Sequence, residues 1–147
     1  MSTDVSDSLL KLLVEVTRRF EAQLNDRLKT ELDVELRPAH YAVFRYLEPA
    51  GTRVTALAEA AGMTQQSMGE LVTHLQRRGL VERRLDPADR RARLVVATAA
   101  GRAAVAVAAA RIAEIEERLR SDLGADAVEQ VRRSLVAARA SLSGAGT

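Results

Sequence analysis

The stretch LAEAAGMTQQSMGELVTHLQRRGLVERRLDPADRRARLVVAT, residues 57–98, decides the fold. Thr55 is placed to cap a compact helix over Ala56–Ala61, and Gly62 turns the chain. Thr64 is placed to cap a second helix that carries Met68, Leu71, Val72 and Leu75 on one face. Gly79 stands where a left-handed C-terminal cap is expected. Two short helices joined by a tight, glycine-containing turn make a helix-turn-helix. Leu80 to Leu85 then alternates, with Val81, Arg83 and Leu85 on one side and Glu82 and Arg84 on the other. Asp86-Pro87-Ala88-Asp89 is a turn signal, and residues 92–97 return as a β-rich run. The predicted hairpin has a polar, basic tip, which makes it a wing.

Working outward, Thr98 is expected to cap a long helix to about Arg120, with apolar side chains stepping through Val105, Ala108, Ile112, Ile115 and Leu119. A last helix from about Ala125 repeats those steps at Val128, Val131, Leu135, Ala138 and Leu142. Both patterns resemble helix seams. Towards the N-terminus, Leu9, Leu13, Val16, Phe20, Leu24 and Leu28 form a helical stripe over residues 8–30, with Ser6 or Asp7 as the cap. Pro38 suits the first turn of another helix to about Leu47, with Val43, Phe44 and Leu47 inward. Glu48-Pro49-Ala50-Gly51 stops it, and Arg53-Val54 reads as a short extended piece. Ser143 to Thr147 reads as a disordered tail. The fold class is therefore mainly α with a small β-hairpin wing.

Composition limits the chemistry. The chain of 147 residues has no cysteine and two histidines, His40 and His74. That excludes a disulfide framework, a thiol nucleophile and cysteine-bound zinc or iron–sulfur, and no metal or cofactor site is expected. There is no nucleophile paired with a base and no glycine-rich phosphate loop, so no catalytic residue is assigned and an enzyme is not expected. No apolar run is long enough to span a membrane. The opening MSTDVSDS lacks the basic stretch of a signal peptide, so the expected location is the cytoplasm.

The net charge is only +2, and 20 of the 22 basic residues are arginine. Residues 77–93 nevertheless carry seven arginines against three acids, an excess of +4, while the remainder sums to −2. The positive charge gathers on the end of the second helix and on the wing, as binding to double-stranded DNA requires. With Met68 at the centre of the buried face, Gln66, Glu70, Thr73 and Arg77 lie opposite, and Gln65 projects from the first turn. A glutamine can pair bidentately with adenine, and Glu70 can accept from cytosine N4. Gly69 offers a bare surface for close approach to a base or sugar, and Thr64 can donate to a phosphate. Of Arg90 and Arg91, one can enter a minor groove while the other pairs with Asp89 to brace the hairpin; Arg93 is placed for a phosphate. The same residue types would also suit a solvated helix face, and the surrounding helix-turn-helix and wing favour DNA.

The GLVERR run (79–84), the DPADRR wing (86–91) and the Thr98/Gly101 pair that opens the next helix resemble the DNA-binding core of the MarR family of bacterial transcriptional regulators. The resemblance extends over nearly the whole chain as a single domain of residues 1–147. It implies a winged-helix lobe at about 37–98, and dimerisation helices at about 6–36 and 99–142. Gly69 and Glu70 stand where members often carry a hydroxyl and a basic residue. The peroxide-sensing branch uses an N-terminal cysteine that this chain lacks, so thiol oxidation is excluded as its signal.

A homodimer is expected from the terminal stripes as well as from the family. Leu9, Leu13, Val105, Ile112, Ile115, Leu119, Val128, Val131 and Leu135 serve as either core or dimer seam. Two recognition helices about 34 Å apart would read an inverted repeat. Family effectors commonly bind between the dimerisation helices and the DNA-binding lobe. His40, Tyr41, Phe44 and Arg45, faced by Arg18 and Arg19, are the side chains available there. An arginine beside aromatic rings suits a small anionic aromatic molecule; helix packing and capping are the alternative role for His40 and Tyr41. The function expected is a ligand-released repressor. The alternative is a dimeric winged-helix module that binds protein without specific DNA recognition, for which Glu70 and the mild net charge leave room.

Overall fold

The structure is a computed structural model that describes residues 5–32 and 36–144. It resolves into two compact units, one ending at Arg111 and one beginning at Ile112. The elements in order are a 3-10 turn Val5–Asp7, α1 Leu9–Leu28, α2 Pro38–Tyr46, α3 Val54–Ala61, α4 Gln65–Arg77, β1 Val81–Asp86, β2 Asp89–Ala97, α5 Ala99–Leu123 and α6 Ala125–Gly144. None of the described helices is long and apolar enough to cross a membrane.

The first unit is built around α4. Met68, Val72 and Leu75 are fully buried at the spacing the sequence shows, and they share a core with Val43, Leu57, Val81 and Val95. Thr64 caps α4 by accepting the Ser67 N–H at 3.1 Å. Gly79 lies at φ +75°, a backbone conformation that L side chains resist, and so turns the chain from α4 into β1. The hairpin is antiparallel, pairing Val81 with Ala97 and Arg84 with Leu94, and its register shifts between Leu85 and Asp86. The face anticipated for β1 is not buried throughout: Val81 is buried and Arg83 half-buried, but Leu85 is 55% exposed. Leu85 still pairs in register with Arg93, so it keeps the face of Val81 and Arg83, and its exposure follows from its place near the tip of the hairpin.

Two helix starts differ from expectation. Ser8, rather than Ser6 or Asp7, caps α1 by accepting the Lys11 N–H at 3.2 Å, because the two earlier candidates are already folded into the 3-10 turn. The third helix begins at Val54 with Arg53 as its N-cap, two residues before the expected Thr55 cap. The extended piece is correspondingly Thr52, whose N–H and C=O both bond Val95 (3.0 and 2.8 Å). Those two bonds fix the chain at Thr52, so the first helical bond, Leu57 N–H to Arg53 C=O, forms directly after it.

Thr98 ties the hairpin to α5. Its hydroxyl donates to Gly79 C=O (2.5 Å) and accepts the Gly101 N–H (3.0 Å), while its N–H donates to Leu80 C=O (3.1 Å). A Cβ at position 101 would lie 1.9 Å from Leu80 O, so the threonine-then-glycine pair is a packing requirement of this junction.

In the second unit α5 runs on to Leu123, three residues past the expected end, and Gly124 stops it at φ +96°. Arg132 bonds Glu116 at 3.1 Å and Arg120 lies 3.8 Å from Glu129, linking the end of α5 to α6. Within α6 only Val128 is buried. Ser143 and Gly144 are helical where a disordered tail was expected; the rest of that tail, residues 145–147, lies outside the described residues.

Candidate nucleic-acid interface

Burial of Met68, Val72 and Leu75 leaves the opposite face of α4 outward. Gln65, Gln66, Glu70 and Arg77 are exposed there, Thr64 is exposed at the cap, and Gly69 and Thr73 are half-buried. Gln66, Gly69, Glu70, Thr73, Arg77 and Arg83 line a shallow groove of about 450 Å³ along this face. An added Cβ on Gly69 would meet no atom within 4 Å, so the glycine relieves no crowding inside the chain.

Arg83 was not singled out as a site residue by the sequence. From β1 its guanidinium reaches back across α4, donating to Thr73 Oγ1 (3.2 Å), to Gly69 C=O (3.4 Å) and to Gln76 Oε1. It therefore fixes the wing against the recognition helix. Its partners lie 7 to 14 residues away, a distance over which strand alternation carries no information.

The wing tip is organised by carboxylates. Asp86 Oδ1 accepts the Ala88 N–H (2.9 Å), and Asp86 Oδ2 accepts two guanidinium N–H bonds from Arg53 (2.8 and 3.1 Å). The Ala88 N–H, with Arg53 next, holds the Asp86 carboxyl below its ordinary pKa, and the Asp86 hydrogen bond raises the pKa of Arg53. Asp89 accepts the Arg91 N–H (3.0 Å) and lies 3.8 Å from Arg53. The brace expected from Arg90 or Arg91 is therefore supplied by Arg53, 33 residues away from Asp86. Arg90, Arg91 and Arg93 are exposed, and none of them has a carboxylate partner among the described residues.

The candidate effector residues do not form one cluster. His40 points to α4, where its ring stacks on that of His74 with centroids 4.6 Å apart and planes 8° from parallel. Tyr41 turns to α1 and donates to Asn25 Oδ1 (2.7 Å), and Arg45 lies 3.8 Å from Glu21 of the same helix. Burial, with Glu21 second, raises the Tyr41 pKa. Phe44 packs on the core, and Arg18 is exposed.

His40 Nδ1 accepts the Arg37 N–H at 2.9 Å, and the Arg78 guanidinium donates to the His74 ring. Both rings are thus used as acceptors. Burial first, then the neighbouring cations and, for His40, the His74 ring, hold both imidazoles below their ordinary pKa. Nothing in the spacing of two histidines 34 residues apart announces this stack. The described residues contain no group of three or more His, Asp or Glu side chains arranged to hold a metal ion.

A two-helix pair, a glycine turn, an outward-facing second helix and an antiparallel wing with unpaired arginines define a winged helix-turn-helix protein. The MarR family model matches residues 35–92. Over 122 residues the chain is 32% identical to the transcriptional regulator HosA of Escherichia coli, covering 82% of this chain and 84% of that one. A solved MarR-family transcriptional regulator from Rhodococcus sp. RHA1 is 30% identical, with TM-score 0.76 over 91% of this chain and 94% of its own. CouR from Rhodococcus jostii RHA1, solved with p-coumaroyl-CoA, is 31% identical with TM-score 0.73 over 91% and 93%. The repressor CouR has also been solved on a 23-mer DNA duplex; that structure is 27% identical, with TM-score 0.73 over 96% of each chain. The chain belongs to the MarR family of DNA-binding transcriptional regulators.

Proposed function

We propose that the chain is a homodimeric repressor that reads an inverted repeat and is released by a small anionic aromatic effector. The observation that carries the DNA-reading part is the pairing of an outward polar face on α4 with a wing tip whose Arg90, Arg91 and Arg93 lack carboxylate partners. Gln65, Gln66 and Glu70 read base edges, with Gly69 admitting close approach. Thr64 and Arg93 take phosphates, Thr73 and Arg77 hold the rim of the helix face, and Arg90 or Arg91 enters the minor groove.

Dimerisation is supported by apolar surface that each unit leaves uncovered. In α1, Leu9 and Leu13 are 79% and 45% exposed, and in α6, Val131 and Leu135 are 53% and 44% exposed. Covering such side chains contributes about 1.5–3 kcal/mol for each one fully buried. Val105 is also exposed, and Ile112 and Leu119 are half-buried. Ile115 and Val128 are already buried in the single chain, which favours a core role for those two. The effector part rests on Tyr41 and Arg45 beside α1, with Arg18 exposed on that helix, and on the p-coumaroyl-CoA complex of CouR.

Sequencing the DNA fragments that the purified protein selects from a random pool tests this reading. The expected product is an inverted repeat with half-site centres about 10 bp apart. Isolated half-sites would overturn the dimeric reading, and unenriched sequence would overturn specific recognition.

A further inference from the structure

The grooves on either side of α4 differ in what they offer DNA. An α-helix is about 10–12 Å across and the major groove about 12 Å wide, so a seated helix has a phosphate row close to each flank. On the flank towards β1, Arg83 is occupied in bracing α4, and the wing supplies the free cations. On the flank towards α2 lies a second groove, of about 460 Å³. Its floor is the His40–His74 stack, and Arg37 and Arg78 line it together with Glu70.

We infer that Arg37 and Arg78 form a second phosphate clamp, which grips the DNA strand on the α2 side of the recognition helix while the wing grips the other side. The inference rests on the DNA-binding reading above and extends it to Arg37, outside the basic run 77–93, and to Arg78, within that run but given no contact by the sequence. Three observations carry it. Both arginines are exposed, and neither has a carboxylate partner among the described residues. Their neighbours are imidazoles, which accept hydrogen bonds without neutralising charge: Arg78 donates to the His74 ring, and the backbone N–H of Arg37 donates to His40 Nδ1. The two residues also come from different elements, Arg37 as the N-cap of α2 and Arg78 as the C-cap of α4, so packing of those helices sets their separation. Glu70, the one acid lining the groove, also lines the groove on the outward face, where it can meet a base edge. The groove therefore keeps a net positive charge.

Phosphate contacts release counterions, and each contributes about 0.9 to the slope of log affinity against log salt. The double variant Arg37→Ala/Arg78→Ala should therefore flatten that slope by about 1.8 for each clamp in the complex. It should weaken selected and scrambled duplexes alike, as loss of phosphate contacts does. Fluorescence anisotropy of the full chain on a labelled duplex, over a salt series, reads this directly. The neutral variant Arg37→Gln/Arg78→Gln, which keeps longer polar side chains, should flatten the slope equally, and it carries the test if the alanine variant folds poorly. A steep wild-type slope that neither variant changes would overturn the clamp and leave the DNA-binding reading standing. A flat wild-type slope would overturn the DNA-binding reading itself.

Discussion

Replacing Gly69 by alanine separates what the fold wants from what DNA wants. Gly69 sits in the interior of α4, where glycine costs about 1 kcal/mol relative to alanine. The added Cβ would find no heavy atom within 4 Å, and the backbone there is not left-handed, so nothing inside the chain offsets the gain. The carbonyl that accepts from Arg83 is a backbone group and is retained. The variant should therefore be more stable by about 1 kcal/mol, a rise in Tm of roughly 2–4 °C for a chain of this size. The same methyl group projects from the face bearing Gln66 and Thr73. If a base or sugar packs there, overpacking by one methyl group costs about 1–3 kcal/mol, or roughly 5- to 150-fold in affinity. Urea denaturation and anisotropy on the same preparation measure both quantities. A stabilised protein with unchanged affinity would refute close approach at Gly69, and a destabilised protein would refute the helical account of the position.

Gly101→Ala should behave oppositely. Its Cβ would meet the Leu80 carbonyl oxygen at 1.9 Å, a backbone atom that cannot rotate away, so stability should fall by about 3 kcal/mol or more; an unchanged urea midpoint would contradict the junction described. Arg90→Ala/Arg91→Ala removes exposed side chains without carboxylate partners, so affinity for DNA should fall while the urea midpoint stays put; unchanged affinity would remove the wing from the contact. Because His40 and His74 have pKa values lowered below 6.5 in the folded chain, the unfolded chain takes up protons first as pH falls. Their contribution to stability is therefore complete above about 6.5 and is lost as the pH drops from there through the folded values. Stability against pH for the wild type should show this decline, and the variant His40→Gln/His74→Gln should flatten it; an equal decline in both would assign it to other groups.

What the sequence made legible is local. Met68, Val72 and Leu75 follow helical periodicity and fill the core, Thr64 and Gly79 mark the ends of α4, and the acidic turn at residues 86–89 separates two strands. The site was legible where residue type and helical angle suffice, as for Gln66, Glu70 and Arg77 on the outward face. It was not legible where partners meet through tertiary packing. Arg53 reaches Asp86 across 33 residues, Arg83 reaches Gly69 across 14, and His40 meets His74 only because α2 lies against α4. Composition also understated the surface. A net charge of +2 conceals wing-tip arginines that the fold leaves unpaired while it consumes Arg53 and Arg83 in bracing.

The most direct test of the account is the salt dependence of wild-type binding to the DNA it selects. Two wings, two recognition helices and two α2-side clamps in a dimer imply at least six phosphate contacts, so affinity should fall by about a thousandfold or more between about 50 and 200 mM salt. Weak binding that barely changes over that range would contradict the account and favour a winged-helix module that acts on protein.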